Sequence, residues 1–268
     1  AVTVGFQWYG GHREPAVGDI NLGSPTGFLA DGRPSFVRAA RLNPAFNQIL
    51  EIQPVGNSAY YGGIVALNKR FSKSLQFSAS YTLGWAFNEN DSVGDTGTPV
   101  VNPTNLHLDW GFSSSDQGHR FIAQGVWEPR VHAAGRTSAM LNGWTVAPNV
   151  TATSGFPFTA TAGADLNGDG VNNDYPLYAS RNRFRGPGFA EVNLRVSRTF
   201  ALHEERLRLE IIGEAENLLN STNAACNGGG CGGAVNTQYG STLAKPPLAN
   251  FGQIISAFNS RQIQIGAR

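Results

Sequence analysis

The stretch between residues 165 and 174 has the side-chain chemistry best suited to holding a ligand in this 268-residue chain. Its oxygen-bearing residues alternate as in the calcium loop D-x-N-x-D-G, in which oxygens bind the cation and glycine permits a sharp turn. Pro176 stands where that loop carries its bidentate glutamate. The sequence therefore predicts either a weak calcium site or, as the preferred alternative, a bare Asx- and glycine-rich turn. The candidate ligands are Asp165, Asn167, Asp169, Val171, Asn173 and Asp174.

A second chemical feature is the pair Cys226 and Cys231, which encloses the sequence NGGG. The spacing differs from the C-x-x-C of redox and zinc motifs, and no further metal-ligating residues cluster nearby. Two cysteines this close in a glycine-rich loop suit a disulfide in an oxidising compartment. We therefore expect Cys226 and Cys231 to be joined in an outer loop.

Catalysis and nucleic-acid binding have no support in the sequence. The five histidines lie in predicted loops or at strand ends and lack the H-E-x-x-H spacing. Ser154-Gly155 lacks the rest of a G-x-S-x-G elbow. Charged residues make up 15% of the chain and the net charge is +1, with no lysine and arginine cluster. We therefore expect no enzymatic activity, no cofactor apart from the calcium alternative, and no nucleic-acid partner.

A mixed-charge face lies in the run 206–218, opposite a face that is largely leucine and isoleucine. One interpretation is the wall of a lumen that contacts a plug or a solute. The other is an exposed sheet face with cross-strand ion pairs of modest value. The apolar opposite face favours the lumen. The candidate lumen-facing charged residues are Arg206, Arg208, Glu210 and Glu214.

The element that organises the chain is a predicted hairpin over residues 60–88. In its second arm, residues 75–87, apolar side chains fall on one face and small polar side chains on the other, which is the period of a β-strand. Soluble strands usually have five or six residues, whereas a run this long suits a tilted strand that crosses a bilayer. Aromatic residues at the ends of the arms match the girdles of membrane barrels. These are Tyr60, Tyr61, Phe71, Trp85 and Phe87.

The lengths of the predicted connections strengthen this interpretation. Links between strands run long, short, long, short, long, short, long, which places every long loop at one end of an antiparallel sheet, as in outer-membrane barrels. The sequence contains no run of 18 apolar residues, which a transmembrane helix would need. Pro148 is a mark against a perfect ladder in the fifth strand. The predicted strands are 1–9, 60–71, 75–87, 119–129, 141–158, 189–200, 206–218 and 262–268.

From residue 58 onward the chain resembles a known family, the C-terminal barrel region of TonB-dependent outer-membrane receptors with Oar-like architecture. No single stretch is specific, but the ordered set is. The matching stretches are NSAYYGGIVALNKRFSKSLQFSASYTLGWAFN, GHRFIAQGVW, LNGWTVAPNVTATSGFPFT, DLNGDGVNND, NRFRGPGFAEVNLRVSRTF, RLRLEIIGEAENLLN and FGQIISAFNSRQIQIGAR.

The resemblance implies an all-β, antiparallel transmembrane barrel of about 22 strands, plugged by an N-terminal domain, that takes up a bulky ligand with energy delivered through TonB. Residues 1–268 would then be a C-terminal portion of that barrel, with long outer loops and short periplasmic turns. Its partners would be outer-membrane lipid, the plug, the remaining strands and the TonB system. Two alternatives stay open: a structural or adhesive outer-membrane barrel, and a soluble β-rich binding domain.

The side chains of the expected inner face indicate that these eight strands do not close by themselves. An eight-stranded barrel has an interior that side chains must fill, and small residues would leave voids there. We therefore expect an arc of a wider cylinder, whose edges near 1–9 and 262–268 need partner strands. The small or polar inner residues are Ser78, Ser80, Thr82, Gly84, Ala147, Thr151 and Thr153.

Overall fold

The computed structural model describes residues 1–91, 99–102, 105–132, 135–202 and 207–268. One antiparallel sheet dominates this part of the chain, and its eight long strands lie side by side in the order of the sequence. The strands are β1 (Val2–Asp19), β2 (Leu50–Ser72), β3 (Leu75–Asn88), β4 (His119–Trp127), β5 (Trp144–Thr153), β6 (Phe189–Leu202), β7 (Leu207–Glu216) and β8 (Gln262–Ala267).

Smaller elements decorate this sheet. A short strand, Gly111–Phe112, pairs with the end of β3. Two-residue strands form two further ribbons, Gly27–Phe28 with Pro34–Ser35 and Pro157–Phe158 with Phe184–Arg185. The helical segments are α1 (Gly135–Leu141) and the 3₁₀ turns Arg38–Ala40 and Leu106–Asp109. No helix in the described ranges is long and apolar enough to span a membrane.

The strand register keeps apolar side chains on one face of the sheet, here called the apolar face. Facing residues across five neighbouring strands form the row Val4, Val65, Tyr81, Phe121 and Ala152. Because side chains alternate along a strand, a register shift of one residue would mix the two faces.

The opposite side of the sheet, here called the polar face, shows the same continuity. A row of amide and hydroxyl side chains crosses five strands at Asn68, Ser78, Gln124, Asn149 and Asn193. The alternation predicted for residues 75–87 therefore continues into the neighbouring strands on both sides.

The sheet is open. Within the described residues β1 pairs only with β2, β8 pairs only with β7, and these two strands lie at opposite ends of the sheet. The prediction that the eight strands do not close into their own barrel is confirmed. Two edges with unpaired backbone groups result, and the longer one follows β1, in which the Val17 carbonyl accepts a hydrogen bond from the Val100 N–H at 2.9 Å.

The first two strands are longer than predicted, and the prediction of an irregular connection over 10–57 is wrong at both ends. Residues 10–19 and 50–57 pair with each other and form a two-stranded ribbon that continues beyond the end of β3. Register shifts lie between His12 and Glu14 and between Glu14 and Pro15. These irregularities, together with the glycines and prolines nearby, interrupt the alternation from which a strand is predicted.

The links at the opposite end differ from one another. Lys73 and Ser74, with φ of 50° and 63°, form a tight turn between β2 and β3. The ammonium of Lys69 closes this turn by donating to the Ser72 and Leu75 carbonyls, both at 2.7 Å. The link between β4 and β5 contains α1 instead of only the short connection predicted. The predicted turn at 203–205 lies outside the described residues.

Pro148 interrupts the hydrogen-bonded ladder between β4 and β5. Pairing between β4 and β5 is continuous from Arg120 to Gln124 and resumes only at Trp127, opposite Val146. Proline has no N–H to give to a neighbouring strand, so the gap falls around this residue.

A cluster of buried apolar side chains lies among the long loops. It consists of Phe158, Ala224, Cys231, Ala234 and Val235. Apolar side chains of the sheet are widely exposed instead, with Phe6 at 75% and Ile265 at 84%. Exposure of so many large apolar groups indicates a face that a nonaqueous environment or a partner covers.

Candidate functional site

The apolar face has the height of a lipid-facing band. Trp8, Tyr61 and Trp85 form a row near its long-loop end, and Trp127 faces Leu75 near the other end. Ten residues separate Leu75 from Trp85, which is about 33 Å along a strand. A tilt of about 40° leaves a height of about 25 Å, which matches the apolar band between the aromatic girdles of outer-membrane barrels.

Tyr60 does not belong to this girdle, and its assignment there is wrong. It faces Ala86 and lies one residue out of phase with Tyr61, so its side chain is on the polar face. There its ring covers Gly62 and Gly84, where a Cβ would meet the Tyr60 side chain. A side chain at either glycine would therefore displace the Tyr60 ring from its present position.

The predicted charged residues of β7 form a ladder on the polar face. Glu214 accepts a hydrogen bond from Arg195 of β6 at 3.0 Å, and Glu210 accepts one from Arg268 at 2.7 Å. Arg195 also lies 3.8 Å from Glu210. Within the described residues Glu210 is therefore paired with arginines from both neighbouring segments, and Glu214 with Arg195 alone.

The two remaining arginines of that prediction differ. Arg208 lies on the polar face beside a cavity of about 650 Å³ at the short-turn end, lined also by Glu128, Arg130 and His132. Arg206 lies outside the described residues. That the polar face lines a lumen remains a prediction.

The long loops pack into one assembly at the other end of the sheet, here called the loop layer. It comprises the described parts of 20–49, 89–118, 154–188 and 217–261. Its main cross-link is Arg181, whose guanidinium pairs with Asp91 and donates to the Asn88 carbonyl and, at 3.0 Å, to that of Asp109. One side chain thus holds the second and third long loops together.

A buried contact between Asp109 and Tyr175 lies next to this arginine. The Tyr175 hydroxyl donates to Asp109 Oδ1 at 2.8 Å, and the Val101 N–H donates to Oδ2 at 2.7 Å. Burial raises the pKa of Asp109 above its usual 3.8, and these donors only partly oppose it. Burial and the carboxylate of Asp109 raise the pKa of Tyr175 well above 10.0. The pair is therefore a hydrogen-bonded link and not an exposed acid.

The pKa of Asp91 is shifted in the opposite direction, downward. Burial alone would raise its pKa, but the charge of Arg181 and hydrogen bonds from Ser114, Asn88 and Asn182 bring the pKa below 3.8. The carboxylate therefore stays ionised, as the ion pair with Arg181 requires.

The first loop is attached to the third in the same way. Arg41 lies 3.0 Å from the carboxylate of Asp19 and donates to the Asp169 carbonyl. Arg33 donates to the Tyr175 carbonyl at 3.1 Å. None of these arginines could be predicted from local spacing, because their partners lie up to 143 residues away in the sequence.

The predicted calcium loop is folded as a ladder of Asx turns. Asp165 accepts from the N–H groups of Gly168 and Gly170, and Asp174 accepts from Leu166 and Asn167. Asn167 Oδ1 also accepts from the Asp169 N–H, and Asp169 Oδ1 from the Val171 N–H, both at 2.8 Å. The Asn167 amide donates to Asp169 Oδ2 at 3.3 Å.

This loop also forms hydrogen bonds with the first long loop of the loop layer. The Phe36 N–H donates to the Asn167 carbonyl at 2.6 Å, and Asn47 donates to the Gly170 carbonyl at 3.2 Å. Burial raises the pKa of both Asp169 and Asp174, with a further contribution from the neighbouring carboxylates. Asn173 is partly buried. Across the described ranges no three His, Cys, Asp or Glu side chains are grouped closely enough to hold a metal ion.

Cys226 and Cys231 form a disulfide whose Cα atoms are 4.4 Å apart. Cys231 is fully buried in the loop core, beside Gly186, where any Cβ would meet the sulfur. The disulfide therefore closes the CNGGGC loop against the third long loop.

Comparison with known protein families adds one finding. The family model described as an outer membrane beta barrel domain matches residues 3–179 and 177–264. Its matches cover most of the sheet and the loop layer. No curated protein matches the chain.

Proposed function

The chain belongs to the outer membrane beta barrel domain family and is located in the outer membrane, and from this premise we propose that it forms part of a receptor barrel for TonB-energised uptake of a bulky ligand. The eight strands would be an arc of the wall, with the apolar face toward lipid and the polar face toward the lumen. A plug domain and the remaining strands would come from other parts of the parent protein.

The observation that carries this proposal is the open sheet with one continuous polar face. Unpaired backbone groups along β1 and β8 are costly in a membrane, because lipid offers them no hydrogen bonds. Further strands would satisfy both edges. A wide barrel also agrees with the small side chains of the polar face, such as Ser78, Ser80 and Thr82, which leave room for a plug.

The TonB component rests on the sequence resemblance described above. The charge ladder supports the TonB component, because a polar plug could contact this surface of positive and negative side chains. The ladder consists of Arg195, Glu210, Glu214 and Arg268. The loop layer would form part of the outer mouth through which the ligand enters.

A structural or adhesive barrel is the second candidate. The observation in its favour is the firm cross-linking of the loop layer by Arg181, Arg41 and the disulfide. Loops fixed in this way suit a display surface, whereas uptake requires an open path beside them.

Interaction with TonB tests the proposal. The protein encoded by the whole gene would be purified in detergent and titrated with the purified periplasmic domain of TonB. A porin from the same membrane would serve as the control barrel. We expect saturable binding to the full-length protein and none to the porin. Equal behaviour of the two barrels would contradict the uptake function and favour the structural one.

A further inference from the structure

A small cavity lies on the polar face, between the strands and the loop layer. Its volume is about 210 Å³, and it is bounded by strands β4, β5 and β6 and by the second, third and fourth long loops. Pockets for whole ligands usually measure about 300–1,000 Å³, so this one suits an end group of a larger molecule.

One wall of the cavity is polar and is built around Arg120. This residue faces Thr153 across β4 and β5. Its Nη1 donates to Gln117 Oε1 at 3.3 Å, and Gln117 Nε2 donates to Thr153 Oγ1 at 3.2 Å. The amide and the hydroxyl are therefore already oriented by one another, and the guanidinium keeps most of its donors for another acceptor.

Arg120 has no neighbouring acid to neutralise its charge within the described part of the chain, where no carboxylate lies within ion-pair distance of it. On the same polar face, Glu191 of β6 faces Thr151 of β5 and accepts a hydrogen bond from Asn193 at 2.7 Å. Arg195, by contrast, is paired with two glutamates.

The other wall is apolar and aromatic. Phe189 and Phe258 meet edge to face with centroids 5.9 Å apart. Phe156 lines the same cavity and packs against the loop core. The fixed geometry of these rings leaves an apolar surface next to an exposed cation.

We propose that this cavity binds a carboxylate attached to an apolar ring or chain, with Arg120 as its anion-binding residue. A planar guanidinium matches a carboxylate through two parallel hydrogen bonds, and the phenylalanines would cover the adjoining apolar group. Two sources share this chemistry: a small aromatic acid and the C-terminus of a peptide with an apolar last residue. The proposal rests on the function above, because the solute reaches the cavity from the lumen.

The test compares acids with their neutral amides on the full-length protein in detergent by calorimetry. The probes are phenylacetate against phenylacetamide, and a short peptide ending in phenylalanine against its C-terminal amide. We expect each acid that binds to do so about tenfold or more tightly than its amide, because charge-assisted hydrogen bonds are worth about 1.5–3 kcal/mol. Tighter binding of the peptide or of phenylacetate identifies the source.

Variants locate the effect. Arg120→Gln should remove the preference for the acid, and Arg120→Lys should retain part of it. Arg195→Gln is the matched control, since it removes an arginine of the same face outside the cavity, and it should leave the preference unchanged. Circular dichroism reports whether Arg120→Gln is folded; if it is not, the acid and amide affinities of the unsubstituted protein decide alone.

Equal affinity for acids and amides, an acid preference that survives Arg120→Gln, or no binding of any probe would overturn the proposal. The TonB titration on the same samples separates this outcome from failure of the uptake function. A protein that distinguishes acid from amide but does not bind TonB would keep the site and lose the proposed energy source.

Discussion

Arg181 and Asp91 form an ion pair although 90 residues separate them in the sequence. The arginine side chain is 10% exposed and that of the aspartate 23%. Asn182 adds hydrogen bonds to the Asp91 carboxylate and to the Phe112 carbonyl, at 2.6 and 2.8 Å. This small network fixes the third long loop on the second and is the main polar link in the loop layer.

Replacing Arg181 should loosen the loop layer while leaving the sheet intact. Arg181→Gln leaves the Asp91 carboxylate largely buried without its cation, which should cost about 3 kcal/mol. Limited proteolysis of the folded protein should then cut near residues 89–118 faster than in the unsubstituted protein. Arg195→Gln removes a half-exposed ion pair of the polar face and should leave the cleavage rate unchanged. Equal cleavage of Arg181→Gln and the unsubstituted protein would show that the pair does not hold the loops.

The loop layer should lose stability in acid through Asp91. Its pKa in the folded protein is below 3.8, so the folded state holds this proton less tightly than the unfolded state does. Its contribution is therefore present above pH 3.8 and disappears as the pH falls through the lowered pKa. Asp109, with a raised pKa, acts in the opposite sense: its contribution is present below pH 3.8 and is lost as the pH rises through its folded pKa.

Proteolysis as a function of pH, with an acid-stable protease, checks this sign. Asp91→Asn should be cut faster than the unsubstituted protein at neutral pH and should show a smaller change below pH 3.8. A variant with the same acid sensitivity as the unsubstituted protein would exclude Asp91 as the titrating group.

Cys226 and Cys231 should be oxidised in the protein isolated from its membrane. Thiol labelling in denaturant without reductant should therefore modify neither residue, and both should react once reductant is added. Removing the disulfide by Cys226→Ser together with Cys231→Ser should cost about 2 kcal/mol, the chain-entropy value for such a short loop. Two reactive thiols before reduction would count against the disulfide.

The loop at Asp165–Asp174 should keep its fold without a cation. Its side-chain oxygens already accept backbone N–H groups, as in the pair Asp174 and Leu166. We expect no saturable calcium binding up to about 1 mM, the weakest range of extracellular calcium modules. Calorimetric titration measures this, with Asp165→Asn as the comparison. Saturable binding that this variant abolishes would restore the calcium alternative.

Patterns within single strands were the most predictable part of the molecule. The alternation of residues 75–87 gave the two faces correctly, because neighbouring side chains of a strand must point to opposite sides. The same rule places Tyr60 on the polar face, opposite to Tyr61. Its assignment to the girdle relied on residue type and overlooked this alternation.

The loop layer could not be predicted from local patterns. Arg181 and Arg41 look like ordinary loop arginines in the sequence, and only the folded chain brings Asp91 and Asp19 to them. Turn residues predicted the Asx ladder at Asp165, because its hydrogen bonds span at most eight residues. The extension of β1 and β2 depends on pairing between distant segments. The register shifts next to His12 interrupt the alternation of side chains, so this pairing could not be predicted from the sequence.

A spin-label scan along β3 would measure how the sheet is oriented in the membrane. Labels would be attached singly at residues 78–83 of the full-length protein in a bilayer, with Cys226→Ser and Cys231→Ser as background. We expect collisions with oxygen at Ala79, Tyr81 and Leu83, and with a water-soluble nickel complex at Ser78, Ser80 and Thr82. Accessibility without a two-residue period, or water exposure at the odd-numbered positions, would contradict this orientation.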